Sequence, residues 1–121
     1  MKVGGCDLSK YNLERPTTAG LSSVANFFKV LADETRLKIL FTLLESGKCV
    51  MHISEHVGMS QSAVSHQLSI LRRADLVKVS RNGKTQVYTI SDEHVRLVLD
   101  MAHIHIGEKN EYHIDGKGCL I

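Results

Sequence analysis

The Asn82-Gly83 pair, set between Leu76-Val-Lys-Val-Ser80 and Thr85-Gln-Val-Tyr-Thr-Ile90, most constrains what this chain can become. Both flanking runs are rich in β-formers, and Asn-Gly between such runs is a strong signal for a tight hairpin. The segments before and after it keep helical spacing instead. Thr17 or Thr18 is placed to cap a first helix, with Leu21, Val24, Ala25, Phe28 and Leu31 on its apolar face. Asp33 is suited to cap a second helix through Glu45, in which Leu37, Ile39, Leu40, Phe41, Leu43 and Leu44 leave few polar sides, as in a central buried helix.

Two shorter helical patterns follow. His52 to Val57 is the first, Gly58-Met59 is a turn, and Ser60 is a cap for a helix from Gln61 to about Ala74. Ile53, Val57, Val64, Leu68 and Leu71 form the inward stripe of this pair. A short helix, a tight turn and a longer helix with polar leading residues make a helix-turn-helix. With the hairpin behind it, the pattern is that of a winged helix. Ser91 is the expected cap of a last helix. The fold class is therefore mainly α with a β-hairpin (α+β), a winged helix-turn-helix occupying residues 17–108. Residues 1–16 are expected as a flexible N-terminal arm and 109–121 as a flexible C-terminal tail.

The net charge of +2 carries little as a total. Its distribution carries more: residues 61–90 hold Arg72, Arg73, Lys78, Arg81 and Lys84 against Asp75 alone. A cationic face suits an anionic partner, double-stranded operator DNA before membrane. Ser60, Gln61, Ser62, Ser65 and His66 lead the second helix of the motif and are the candidates for base and phosphate contacts. Arg81 and Lys84 at the wing suit phosphates. Three Phe, three Tyr and no Trp offer no platform for stacking single-stranded bases. No run of apolar residues is long enough for a membrane span or a signal peptide, so a soluble cytoplasmic protein is expected.

The last helical segment adds a second kind of chemistry. It opens on Asp92 and His94 and closes on His105 and Glu108, four side chains competent to bind zinc. The two histidines are three turns apart, roughly 16 Å along the axis and nearly on one face. One helix cannot wrap both pairs around one ion. Two antiparallel copies can, so the spacing implies a homodimer with two equivalent metal sites. Two imidazoles and two carboxylates suit Zn(II); Co(II) or Ni(II) are alternatives. Four protein ligands leave no open position for water or substrate, and no nucleophile or phosphate-loop motif accompanies them. An enzyme with a small-molecule substrate is therefore not expected.

Phe28-Lys-Val-Leu-Ala-Asp-Glu-Thr-Arg-Leu-Lys-Ile-Leu40, Ser60-Gln-Ser-Ala-Val-Ser-His-Gln-Leu68 and the ligand pairs of the last helix together resemble the ArsR/SmtB family of metal-sensing repressors, in its zinc-sensing form. The resemblance covers about residues 21–108. It implies a winged helix dimerised through its first and last helices, which binds its operator without metal and releases it when metal binds. It also implies that Asp92 and His94 of one protomer meet His105 and Glu108 of the other. In that family the second liganding histidine donates its other ring N–H to a main-chain carbonyl at the end of the reading helix; the matching position is Asp75.

Cys6, Cys49 and Cys119 are odd in number and far apart, which argues against a disulfide framework. Cys49 matches the first cysteine of a second, thiolate site in the family, but Val50-Met51-His52 supplies no second thiol. The alternative function is a thiol-based repressor, sensing cadmium, lead or redox state through Cys49 with Cys6 or Cys119.

Overall fold

The computed structural model describes residues 2–3, 6–7 and 14–110, with backbone only for 2, 3, 6, 7, 109 and 110. Most of the expected arm and the tail beyond Asn110 lie outside the described residues. Lys2–Val3 (β1) pairs antiparallel with Cys6–Asp7 (β2). Five helices and a second hairpin follow: α1 Thr18–Leu31, α2 Glu34–Glu45, α3 Val50–Val57, α4 Gln61–Arg73, β3 Val77–Asn82, β4 Thr85–Ile90 and α5 Glu93–Asn110. No helix of the described residues is long and apolar enough to cross a membrane.

Side-chain oxygens fix where the helices start. Thr17 accepts from the Gly20 amide at 3.1 Å, Asp33 from Arg36 at 2.9 Å and Ser60 from Ala63 at 3.1 Å. Each satisfies an amide that the helix itself leaves without a partner. The other end of α2 is closed by cations. Lys48 Nζ donates to the carbonyl of Thr42 at 3.0 Å, and Arg96 Nη1 to that of Leu44 at 3.0 Å. Positive charge there also complements the helix dipole.

Leu31, Ile39, Leu40, Leu43, Ile53, Val64, Leu68, Leu71, Leu76, Val77, Ile90, Val95 and Leu99 form the core. The stripe expected on α3 and α4 is thus inward, with Val57 half-buried. Gly58, at φ +72°, closes α3 in the left-handed region that lets the chain reverse into α4. The α4 end is a Schellman motif: Leu76 N–H bonds the Leu71 carbonyl (2.9 Å) and Asp75 N–H that of Arg72 (3.0 Å). Asp75 takes the left-handed position at φ +60°. Its backbone turn aims the chain into β3, while Leu71 and Leu76 both pack in the core.

The hairpin differs from its sequence reading by one residue. Asn82 pairs with Thr85, so the loop is Gly83-Lys84 and not Asn82-Gly83. Gly83 has φ +68° and Lys84 a negative φ, the pattern of a type II′ turn. A loop centred on Asn-Gly would place Arg81 directly opposite Lys84, two like charges across a strand pair. The observed register sets Arg81 opposite Gln86 and buried Val77 opposite buried Ile90. Lys48 adds a two-bond bridge to Tyr88 on the outer side of β4.

Gly47 lies where that bridge approaches β4. A Cβ there would sit 2.7 Å from Thr89 Cγ2 and 2.9 Å from Val87 Cγ1. Gly47→Ala should therefore lower stability by about 1–3 kcal/mol, read from the urea midpoint, with an unchanged m-value.

Candidate functional site

Gln61, Ser62, Ser65 and His66 are all exposed on the leading turns of α4. Helical geometry confines them to an arc of roughly 140°, opposite the buried Val64, Leu68 and Leu71. Ser60 is exposed too, but its hydroxyl holds the helix cap and lies 3.4 Å from Ser62 Oγ. Arg81 and Lys84 are exposed at the far end of the wing, and Arg72 and Arg73 on the last turn of α4. Polar donors on a protruding helix and cations on the neighbouring hairpin are the two parts a winged helix brings to a DNA groove and its backbone.

At the start of α5, His94 Nδ1 lies 3.7 Å from Asp92 Oδ1, both side chains being well exposed. Asp92, not Ser91, caps this helix: its Oδ1 accepts from the Val95 amide at 3.0 Å. Ser91 Oγ donates instead to the Asp75 carbonyl at 2.7 Å, tying the entrance of α5 to the exit of α4. That carbonyl is the one the family resemblance assigns to His105, so its first acceptor position already serves Ser91. At the other end of α5, His105 and Glu108 are exposed, and the helix passes through Gly107 without breaking. Among the described residues no three His, Cys, Asp or Glu side chains converge on one point. The chain therefore brings Asp92 to His94 but leaves His105 and Glu108 at the far end of the same helix.

Beside α5, α1 shows an uncovered apolar face. Leu21, Val24 and Phe28 are 56%, 45% and 52% exposed, and Ile104 and Ile106 of α5 are 46% and 45% exposed. Between them an open apolar cavity of about 300 Å³ is lined by Phe28, Leu31, Ala32, Leu37, Val98, Leu99 and Ala102. His103 contributes to another contact, its ring edge-on to Phe41 at 6.0 Å between centroids.

The thiol candidates separate. Cys49 precedes α3, unbridged, with Sγ 3.4 Å from His52 Nδ1. The side chain of Cys6, and Cys119 altogether, lie outside the described residues. Two residues escaped the sequence reading: Arg36 of α2 and Gln67 of α4, joined by a 3.0 Å hydrogen bond. The signal was a polar residue at the edge of the inward stripe Val64, Leu68, Leu71.

Residues 33–79, from the cap of α2 into β3, match the family described as bacterial regulatory protein, arsR family. Over 91 residues the chain is 42% identical to the HTH-type transcriptional regulator NmtR of Mycobacterium tuberculosis, covering 71% of this chain and 76% of that one. The chain belongs to the arsR family. Two solved structures share its architecture. The homodimeric winged helix-turn-helix DNA-binding domain Mb0332 of Mycobacterium bovis is 30% identical, with a TM-score of 0.75 over 85% of this chain and 95% of that one. The AntR antimony-specific transcriptional repressor is 35% identical, with a TM-score of 0.70 over 88% and 98%. This arsR-family chain is accordingly a winged helix-turn-helix transcriptional regulator, and its exposed α4 and wing are where a DNA contact would form.

Substitutions on the two parts should behave differently. Gln61→Ala should relax base preference at one position of the bound duplex, at about 1–3 kcal/mol. Arg81→Ala with Lys84→Ala should weaken all duplexes alike and lower the salt slope of binding by about 1 per lost phosphate contact, measured by fluorescence anisotropy across a salt series.

Proposed function

We propose that this protein is a transcriptional repressor that binds operator DNA as a homodimer and releases it on binding Zn(II) between the α5 helices of two protomers. The observation that carries this is the split ligand set. Asp92 and His94 stand together, exposed, at one end of a continuous helix; His105 and Glu108 stand exposed at the other. Each pair is half of a tetrahedral site, and an antiparallel partner helix would supply the other half. The uncovered apolar face of α1 and α5 gives a partner something to bury. At ~25 cal/mol per Å² such burial is a substantial driving force. The homodimeric Mb0332 domain supports the dimer by similarity, and the antimony-specific AntR repressor supports regulation of a repressor by an inorganic ion.

The residues fit the ion with one adjustment. Because Asp92 Oδ1 is engaged with the Val95 amide, Oδ2 is the oxygen to coordinate. His94 and His105 would donate one ring nitrogen each and Glu108 a carboxylate oxygen. Bound there, the ion supplies positive charge and fixed bond directions, and no reaction. This chain's residues then carry the consequence to DNA. Asp92 adjoins Ser91, whose hydroxyl holds the Asp75 carbonyl at the end of α4. A carbonyl oxygen has a second lone pair, so the N–H of His105 from the partner can share it. Drawing Asp92 and His94 toward a partner helix thus pulls at the exit of α4. The metal must favour the low-affinity arrangement, and a coupling of about 1–3 kcal/mol suffices for a 5- to 150-fold response.

Asp92→Asn separates ligation from capping, since Asn keeps a cap acceptor but loses the carboxylate. With metal removed, the variant should bind the protein's own upstream DNA like wild type. Zinc should weaken wild-type binding at least tenfold and leave Asp92→Asn within about twofold. An equal zinc response in both would overturn the assignment.

The Cys49–His52 contact favours a second reading, a thiol-based repressor in which Cys49 acts with Cys6 or Cys119. Alkylation divides the two. A thiol-blocked protein should keep its full zinc response under the first reading and lose regulation under the second.

A further inference from the structure

Arg36 makes three hydrogen bonds in three directions. Its amide bonds Asp33 Oδ2 at 2.9 Å, its Nε donates to Gln67 Oε1 at 3.0 Å, and its Nη1 donates to the Val30 carbonyl at 3.2 Å. Val30 belongs to the last turn of α1, where carbonyls lack helical partners, and Gln67 lies on α4. One half-buried guanidinium therefore joins the end of α1, the start of α2 and the middle of α4. Among the described residues this is the side-chain hydrogen bond that ties α4 to another helix.

Gln67 does not stand on the face that carries Gln61, Ser62, Ser65 and His66. Helical geometry turns it roughly 100° past His66, toward the buried side. It is half-buried there, while those four are exposed. The apolar contacts of Val64, Leu68 and Leu71 hold α4 against the core; their burial is non-directional, and close packing resists rotation about the helix axis without selecting one hydrogen-bonded angle. A hydrogen bond to a planar, charged donor is directional. Rotation of α4 by a few tens of degrees would break it.

We propose that Arg36 and Gln67 form a joint that sets the rotation of α4 and locks it to the α1–α2 corner. They act as positioning residues for base readout, without touching DNA themselves. The proposal rests on the reading that α4 meets DNA, and it goes further by naming what fixes the presented angle. A joint of this kind affects sequence-specific binding, which needs side chains aimed at base edges. It spares non-specific binding, which needs only charge near phosphates.

The test uses the full chain without metal and two duplexes: one selected by wild-type protein from a randomised library, and a scrambled one. Gln67→Ala and Arg36→Lys should each weaken the selected duplex about tenfold, as expected for losing one charge-assisted hydrogen bond. The scrambled duplex should stay within twofold. The double variant should be no worse than either single variant, because the two residues form one link. Gln67→Glu, which keeps an acceptor for Arg36, should retain the wild-type ratio of selected to scrambled affinity within about threefold. A parallel fall on both duplexes would indicate loss of fold instead and overturn the joint, as would unchanged selected binding or additive effects. Wild-type protein that selects no duplex at all would remove the underlying reading of α4.

Discussion

A straight helix cannot fold its two ends onto one ion, and α5 carries competent ligands at both. The helix runs from Glu93 to Asn110 and is continuous through Gly107, so roughly 16 Å of rigid backbone separates His94 from His105. Any site that uses all four side chains needs a second chain. The same constraint gives meaning to the apolar face beside it. Leu21, Val24 and Phe28 have helical spacing and lie open to solvent, which is costly on a monomer and useful in an interface. In the proposed dimer, α5 would serve both association and ligand closure, so metal binding would act on the geometry that sets the distance between the two α4 helices.

The route from that interface to DNA is short because the chain doubles back on itself. Asp75 ends α4, and after the hairpin Ser91 returns to bond its carbonyl. The next residue, Asp92, is at once the cap of α5 and a ligand candidate. In the proposed site, capping and coordination would share one carboxylate, one oxygen each. At the opposite side of α4, Arg36 binds Gln67 and the last turn of α1. Helix α4 is thus held at its end by the helix that would carry the metal and near its middle by the corner leading from α1.

Much of this was legible in the residues. The caps Thr17, Asp33 and Ser60, the inward stripe of α3 and α4, and the presence of a wing follow from local rules that tertiary packing did not override. The departures have identifiable causes. Asn-Gly marked the hairpin, but cross-strand charge and the pairing of Val77 with Ile90 moved the turn to Gly83-Lys84. Ser91 and Asp92 are both good capping residues in adjacent positions. The choice was decided by a contact 16 residues away in sequence, at Asp75, which no local pattern encodes. Arg36 and Gln67, 31 residues apart, were silent for the same reason. The split ligand pairs were plain in the spacing, whereas their closure depends on a second chain.

Mixed dimers test that closure most directly. Protein carrying Asp92→Asn and protein carrying His105→Gln should each bind no Zn(II) at the α5 site. When the two are combined and allowed to exchange subunits, one metal site of the mixed dimer gathers both substitutions and the other gathers none. The mixed dimer should therefore regain one tightly bound zinc per dimer, counted by calorimetric titration of the purified heterodimer. Failure of the mixture to recover any zinc binding, with heterodimer formation verified by differential tagging, would contradict a site shared between protomers.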